Sequence, residues 1–255
     1  MNIRKWGALL AAAVLWLAAA ASAFPAPPSV ETTVAEISKN GNLVLSVSAQ
    51  DLTALGYECG DVLAVTVSGL EMEMPLGSNY TDVDSGQLVC RLKAGPPGDA
   101  GQAVLARSMD DLATSLGLAE KILTDEAPGY RWDYRTGTPV TVTLSMKEKG
   151  GYANEYMLRQ LTRTNDRGDY PALTDAQYAN FRPVATTGMG AGALYRSSSP
   201  IDPSLNRNRE ADAALERAGV RTVMNLADSE AAMTAHEGYS GSRYSRCAVA
   251  AWPWA

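Results

Sequence analysis

The sequence predicts a multidomain β plus α/β protein: a small β-barrel over residues 31–149, followed by an incomplete α/β module over 172–255. Three observations carry that prediction. Residues 31–149 hold short alternating or continuous apolar runs rich in Val, Leu and Thr, separated by turn residues, which is the texture of a closed or half-closed all-β unit. A Gly150-Gly151 break and a polar stretch ending at Pro171 interrupt the pattern. From residue 172 the order becomes strand, helix, strand, helix, which predicts a right-handed βαβ unit with a parallel sheet.

The elements follow in order. Residues 1–23 read as a secretory signal peptide: Arg4 and Lys5 precede an apolar core of about 16 residues, and Ala21-Ser22-Ala23 forms a small-x-small cleavage site. The apolar run is short of the roughly 20 residues that span a bilayer, so a cleaved leader is favoured over an anchor. Residues 24–30 begin as a Pro-rich, extended spacer. "TTVAEI", "NLVLSV", "DVLAVTV", "GQLVCRL" and "PVTVTL" are the expected barrel strands. "KNGN" joins the first two, and its Asn40-Gly41 pair predicts a type I′ hairpin turn. "AQDLTALGY" and "SMDDLATSLGL" are two short helices, each meeting a Gly stop. Residues 150–171 form the connector, with an amphipathic helix over roughly 153–163. In the last module "GALYRSSSPI" is a strand entering a turn. "NRNREADAALERAG" is a helix with Asn206 as N-cap and Gly219 past its end, "VRTVMNLAD" is a strand, and "SEAAMTAH" opens another helix. The tail "RCAVAAWPWA" has neither helix nor strand pattern, and about 85 residues make a thin core for this module.

Composition narrows the function classes. The formal charge is −6, and loss of Arg4 and Lys5 with the leader takes it to −8. Such a chain, with no run of Lys or Arg, is a poor nucleic-acid partner. After leader cleavage no later segment is long and apolar enough for a membrane span, so the expected location is secreted or extracytoplasmic. Among the three cysteines, Cys59 and Cys90 form either a disulfide or two separate buried thiols, the thiols favoured, and Cys247 is left over. His236 is the single histidine, which leaves almost nothing for a zinc site or a Ser–His–Asp triad. No phosphate-cradling Gly-x4-Gly-Lys motif occurs, and the "TGMGAG" glycines read as a turn rather than a dinucleotide fingerprint. Asp82, Asp84, Asp110 and Asp111 read as helix caps or solvated groups, not a cation site. No cofactor and no metal is implied.

Two stretches resemble known families. "VAEISKNGNLVLSVSAQDLTALGYECGD", "YTDVDSGQLVCRL", "SMDDLATSLGL" and "GTPVTVTL", within 34–146, resemble in order and spacing the C-terminal β-barrel domain of S-adenosylmethionine hydroxide adenosyltransferases. In that family a larger catalytic domain precedes the barrel. Here only the leader does, so the resemblance implies a barrel kept as scaffold or binding module rather than the reaction. "YANFRPVATTGMGAGALYRSSSPI" and "NRNREADAALERAGVRTVMNLADSE", within 170–245, resemble the N-terminal part of secreted bacterial tyrosine-phosphatase-like proteins. The marks are Asn180-Phe181-Arg182, a Gly-rich turn, Leu194-Tyr195-Arg196-Ser197 and the strand ending in Asp228.

The second resemblance implies hydrolysis of phosphomonoesters through a His-Cys-x5-Arg loop, in which a thiolate attacks phosphorus and an arginine six positions on grips its oxygens. Six residues beyond Cys59, Cys90 and Cys247 stand Val65, Pro96 and Pro253, and no His precedes any of the three. The expectation is a gene truncated before that loop, with no catalytic residue and no activity as written. Full-length relatives would take a phosphorylated protein or small phosphomonoester as partner. The candidate substrate-binding residues are Arg182, Arg196 and Asp228, each with a structural alternative: the arginines as fold braces, Asp228 as a helix cap. Ser197–Ser199 read as a turn. The alternative function is a secreted, non-catalytic binding protein that uses the β-barrel.

Overall fold

The computed structural model describes residues 28–184, 188–226, 229–236 and 248–251. The expected leader, Asp228 and Cys247 lie outside the described residues.

A closed seven-stranded barrel dominates the fold. Its strands are β1 (Val30–Ile37), β2 (Leu43–Leu45), β3 (Val62–Val67), β4 (Leu70–Gly77), β5 (Leu88–Lys93), β6 (Gln102–Arg107) and β9 (Thr141–Glu148), in the circular order β1-β2-β6-β5-β4-β3-β9. Five of these coincide with the expected apolar runs. The remaining two, β4 and β6, complete the ring. β4 reads "LEMEMPLG", and its two glutamates and its proline lower its β signal in isolation. Pairing on both sides makes it a strand: Val62 to Val67 run antiparallel to it and Cys90 and Arg91 run parallel.

Alternation drives closure. In β3, Leu63, Val65 and Val67 are buried and their neighbours are not, and Val142 and Leu144 of β9 join them inside. Leu43, Leu45, Leu76, Cys90 and Leu105 fill the rest, so the interior is a packed aliphatic core. Register shifts between Val34 and Glu36, and between Val62 and Leu63, supply the local bends a small barrel needs.

The Asn-Gly hairpin joins β1 and β2 as expected, but not as type I′. Gly41 alone of the pair takes a positive φ, 77°, and its amide donates to the Ser38 carbonyl at 2.9 Å. A Cβ there would sit 1.9 Å from Asp111 Oδ1, so a larger residue would both strain the backbone and displace Asp111. Asp111 is held there because it caps the second short helix.

That helix is α2 (Leu112–Ser115); the first is α1 (Ala49–Ala54). α1 opens with a reciprocal capping box between Ser48 and Asp51. β7 (Ala119–Leu123) and β8 (Tyr130–Tyr134) form a separate two-stranded ribbon not foreseen in the sequence.

The connector helix α3 (Ala153–Gln160) is shorter than expected and is docked on the barrel. β4 and β5 run parallel, and the 78–87 crossover between them carries buried Asp82. Its Oδ2 accepts from the Ser78 and Asn79 amides at 2.7 and 2.8 Å, and its Oδ1 accepts from Gln160 Nε2 of α3 at 2.6 Å. Tyr152 donates from its hydroxyl to the Asp82 carbonyl at 2.9 Å and packs with Tyr80 on Val83, Val89 and Ala106. The crossover is thus closed partly by its own amides and partly by Gln160 of α3 and Tyr152 at its start.

Beyond α3 lie α4 (Asp175–Tyr178), β10 (Arg182–Pro183), β11 (Tyr195–Arg196), α5 (Asn208–Arg217), β12 (Thr222–Asn225), α6 (Glu230–Ala235) and β13 (Ala248–Ala251). Three expectations are corrected. The strand near Tyr195 does not share a sheet with β12; it pairs antiparallel with β10. The tail does contain a strand, β13, parallel to β12 with Thr222 opposite Ala248. α5 starts at Asn208 after Arg207, and Asn206 instead ends a 3-10 turn in the left-handed region at φ 50°. Gly219 follows α5 as expected, at φ 67°. Ile201, Leu215 and Met233 form this region's small core with Phe181, Val220 and Val223.

Candidate functional site

A cleft of about 380 Å³ opens on the outer side of the barrel, where α3 and β10 come against it. Four segments build its walls: Glu73 and Pro75 of β4, Val83, Asp84, Gln87 and Leu88 of the crossover and β5, Tyr152, Glu155 and Arg159 at α3, and Arg182 and Pro183 of β10. Each contribution follows from local geometry. Glu73 and Pro75 alternate with buried Met74 and Leu76, so they face outward. Glu155 and Arg159, at i,i+4, share one face of α3, and Tyr152 precedes them at its N-cap.

Arg159 is the electrostatic hub. Its Nη2 donates to Asp84 Oδ1 at 3.0 Å and its Nε to Glu155 Oε1 at 2.8 Å, with only 8% of its side chain exposed. Burial alone pulls its pKa down, but Tyr152, Asp84 and Glu155 outweigh that and hold it above the ordinary value. Burial, with Glu155 and Asp84 reinforcing it against Arg159, pushes the Tyr152 hydroxyl up to about 12. It is therefore a hydrogen-bond donor at neutral pH, not an acid–base group.

Arg182 is held differently. Its Nη1 donates to Asn180 Oδ1 at 2.9 Å, and Asn180 sits in the left-handed region at φ 54°. Its Nε is buried with no hydrogen-bond partner among the described residues, and the nearest carboxylate, Glu155, stands 3.9 Å away and already accepts from Arg159. Burial first, then the Arg159 and Arg196 charges, press the Arg182 pKa below the ordinary arginine value. Arg196 lies directly across from Arg182 in the β10–β11 pair and is exposed.

The structure thus brings two of the three expected site residues, Arg182 and Arg196, side by side, and places Arg182 alone among them in the cleft wall. Asp228 lies outside the described residues. Arg159, Glu155, Asp84 and Tyr152 were not foreseen as site residues, although Glu155 and Arg159 carry the i,i+4 acid–base spacing of a helix ion pair.

The described cysteines are chemically quiet. Both are free thiols. Cys90 is buried, and burial with the nearby Cys59 lifts it to about 12. Burial also raises Cys59, outweighing a hydrogen bond with Tyr156. Neither has the cationic surroundings that make a thiolate. Among the described residues no group of three His, Cys, Asp or Glu side chains could hold a metal ion, and no helix is long and apolar enough to cross a membrane.

No protein-family model and no curated protein matches the chain. Among solved structures it is similar to one titled "Crystal structure of uncharacterized conserved protein from Thermotoga maritima", with 19% identity and a TM-score of 0.34 over 46% of this chain. The chain spans about a third of that protein's length, 36%.

Proposed function

We propose that this chain is an exported, non-catalytic binding protein whose ligand sits in the cleft between the outer face of the barrel and α3. The observation that carries this reading is the cleft guanidinium of Arg182, oriented by Asn180 yet short of acceptors. The barrel serves as a wall of the site rather than as its container, because aliphatic side chains fill its interior. A cysteine-based hydrolase finds no support in the described thiols, both held protonated. A tyrosine-phosphatase-like origin for residues 172–255 remains our reading of the Asn180-Phe181-Arg182 and Leu194–Ser197 motifs, and the parallel β12–β13 pair spanning α6 is consistent with it. Export rests on the leader-like pattern of residues 1–23.

The test is a thermal-shift screen of the purified chain against anionic, cationic and neutral small molecules with apolar bodies, repeated with Arg182→Gln. At least one class should raise the melting temperature of the unaltered chain and lose most of its effect in the variant. Release of phenol from aryl phosphates should stay at the buffer rate. Turnover that disappears in Cys59→Ser or Cys90→Ser would reverse the assignment.

A further inference from the structure

Lys147 pairs with Glu73. Arg159 bonds both Asp84 and Glu155, and that triad carries one negative charge. Arg182 adds one positive charge to the wall; Arg196, opposite it on β11, is exposed and stands outside the wall. With Arg182 the wall charges balance as a whole, yet its guanidinium Nε has no hydrogen-bond partner among the described residues. The Nε–Nη2 edge of an arginine is a planar two-donor fork that matches a carboxylate. Asn180 holds the opposite corner, Nη1, which fixes the plane of that fork. The remaining walls are largely apolar: Pro75, Val83, Leu88 and Pro183, with the Tyr152 ring. The volume, about 380 Å³, lies at the small end of the range for ligand pockets, roughly 300–1,000 Å³.

Resting on the binding reading above, we infer that the cleft takes a monocarboxylate with a short apolar body, its carboxylate on the Arg182 fork and its body against Pro75, Leu88 and Pro183. A single negative charge matches the single guanidinium of Arg182. A phosphomonoester dianion overshoots it by one charge, and that second charge adds to the repulsion any anion meets from the carboxylates of Asp84 and Glu155. A neutral amide of the same shape leaves the guanidinium uncompensated. Nε is covered, so binding on this edge requires the Arg182 side chain to turn from Glu155, 3.9 Å away, toward the cleft. The same chemistry is offered by a free carboxylic acid and by the C-terminus of a polypeptide ending in an apolar residue.

The experiment is isothermal titration of the full chain with 3-phenylpropionate, 3-phenylpropanamide and phenyl phosphate, and with a short peptide ending in Leu in free-acid and amidated forms. The acid should bind on the order of ten- to a hundred-fold more tightly than its amide, the span expected for a charge-assisted hydrogen bond, and more tightly than phenyl phosphate. Arg182→Gln should weaken the acid at least ten-fold and leave the amide unchanged. Should that variant not fold, the acid-against-amide ratio on the unaltered chain decides alone. Tighter binding by the free-acid peptide than by 3-phenylpropionate assigns the polypeptide source, and the reverse order assigns the small acid; either outcome supports the inference. Equal or tighter binding by the amide or by phenyl phosphate overturns the carboxylate inference while leaving a binding cleft. Silence from every probe, together with a flat thermal-shift screen, overturns the binding reading itself.

Discussion

Replacing Arg159 by alanine removes one side chain from a buried triad and exposes what it was doing. Arg159 and Asp84 are 8% and 11% exposed at their side chains, and Glu155 is 33% exposed. Deleting the arginine takes a charged donor from the Asp84 carboxylate in a site almost closed to water. Breaking a buried pair in this way costs about 3–5 kcal/mol, because the remaining charge keeps its desolvation penalty and loses the attraction of the guanidinium. Glu155 is exposed enough to rehydrate, so its share is discounted and the lower end, about 3 kcal/mol, is expected. In a unit of this size each kcal/mol moves the melting temperature by roughly 2–4 °C, which gives a fall of about 6–12 °C. Circular dichroism melts and urea titrations of the two proteins read it directly. Asp84→Asn in the Arg159→Ala background should recover at least about 1 kcal/mol, since an amide has less to lose from burial than a carboxylate. A loss below about 0.5 kcal/mol, with no recovery in the double variant, would mean that water reaches the triad and that α3 is not anchored through it.

Thiol labelling with a disulfide reagent at pH 8 in a Cys247→Ser background should be slow at Cys59 and negligible at Cys90 until denaturant is added; prompt native-state labelling of Cys90 contradicts its burial. Cys90 is raised from an ordinary value of 9.0, and Tyr152 from 10.0, each to about 12, so the folded chain keeps both neutral after the unfolded chain has ionised them. Their stabilising contribution is therefore complete below pH 9 and declines as pH rises from 9 to 12, and Cys90→Ala should remove the part that begins near pH 9 in the urea midpoint. Gly60→Ala should destabilise by about 2 kcal/mol or more, because φ there is 98° and the new Cβ lies 2.7 Å from the Cα of Ala153 at the start of α3. Hydrogen exchange should then report lost protection at Tyr152, whose amide donates to the Gly60 carbonyl at 2.7 Å; unchanged protection speaks against a tight barrel–α3 contact.

Much of the barrel was written locally. The alternation of "VLAVTV", the Asn-Gly turn and the Gly219 stop are short-range signals, each decided within a few residues by side-chain direction or backbone freedom. Those signals gave five of the seven barrel strands, the short helices and the change of texture after Pro171. Closure was not local. β4 shows glutamates on its outer face and a proline, and it becomes a strand because β3 and β5 offer it partners on both edges. Nor did "AVAA" announce β13, which exists through its parallel register with β12. The site was the least legible part. Asp84 and Arg159 are 75 residues apart, and Arg182 is 23 further on. A single sequence records each charge but not which opposite charge will meet it. That choice belongs to the tertiary structure, because burying an ion is tolerable only where the folded chain delivers its counter-ion to the same place, and at Arg182 the fold leaves that delivery unfinished.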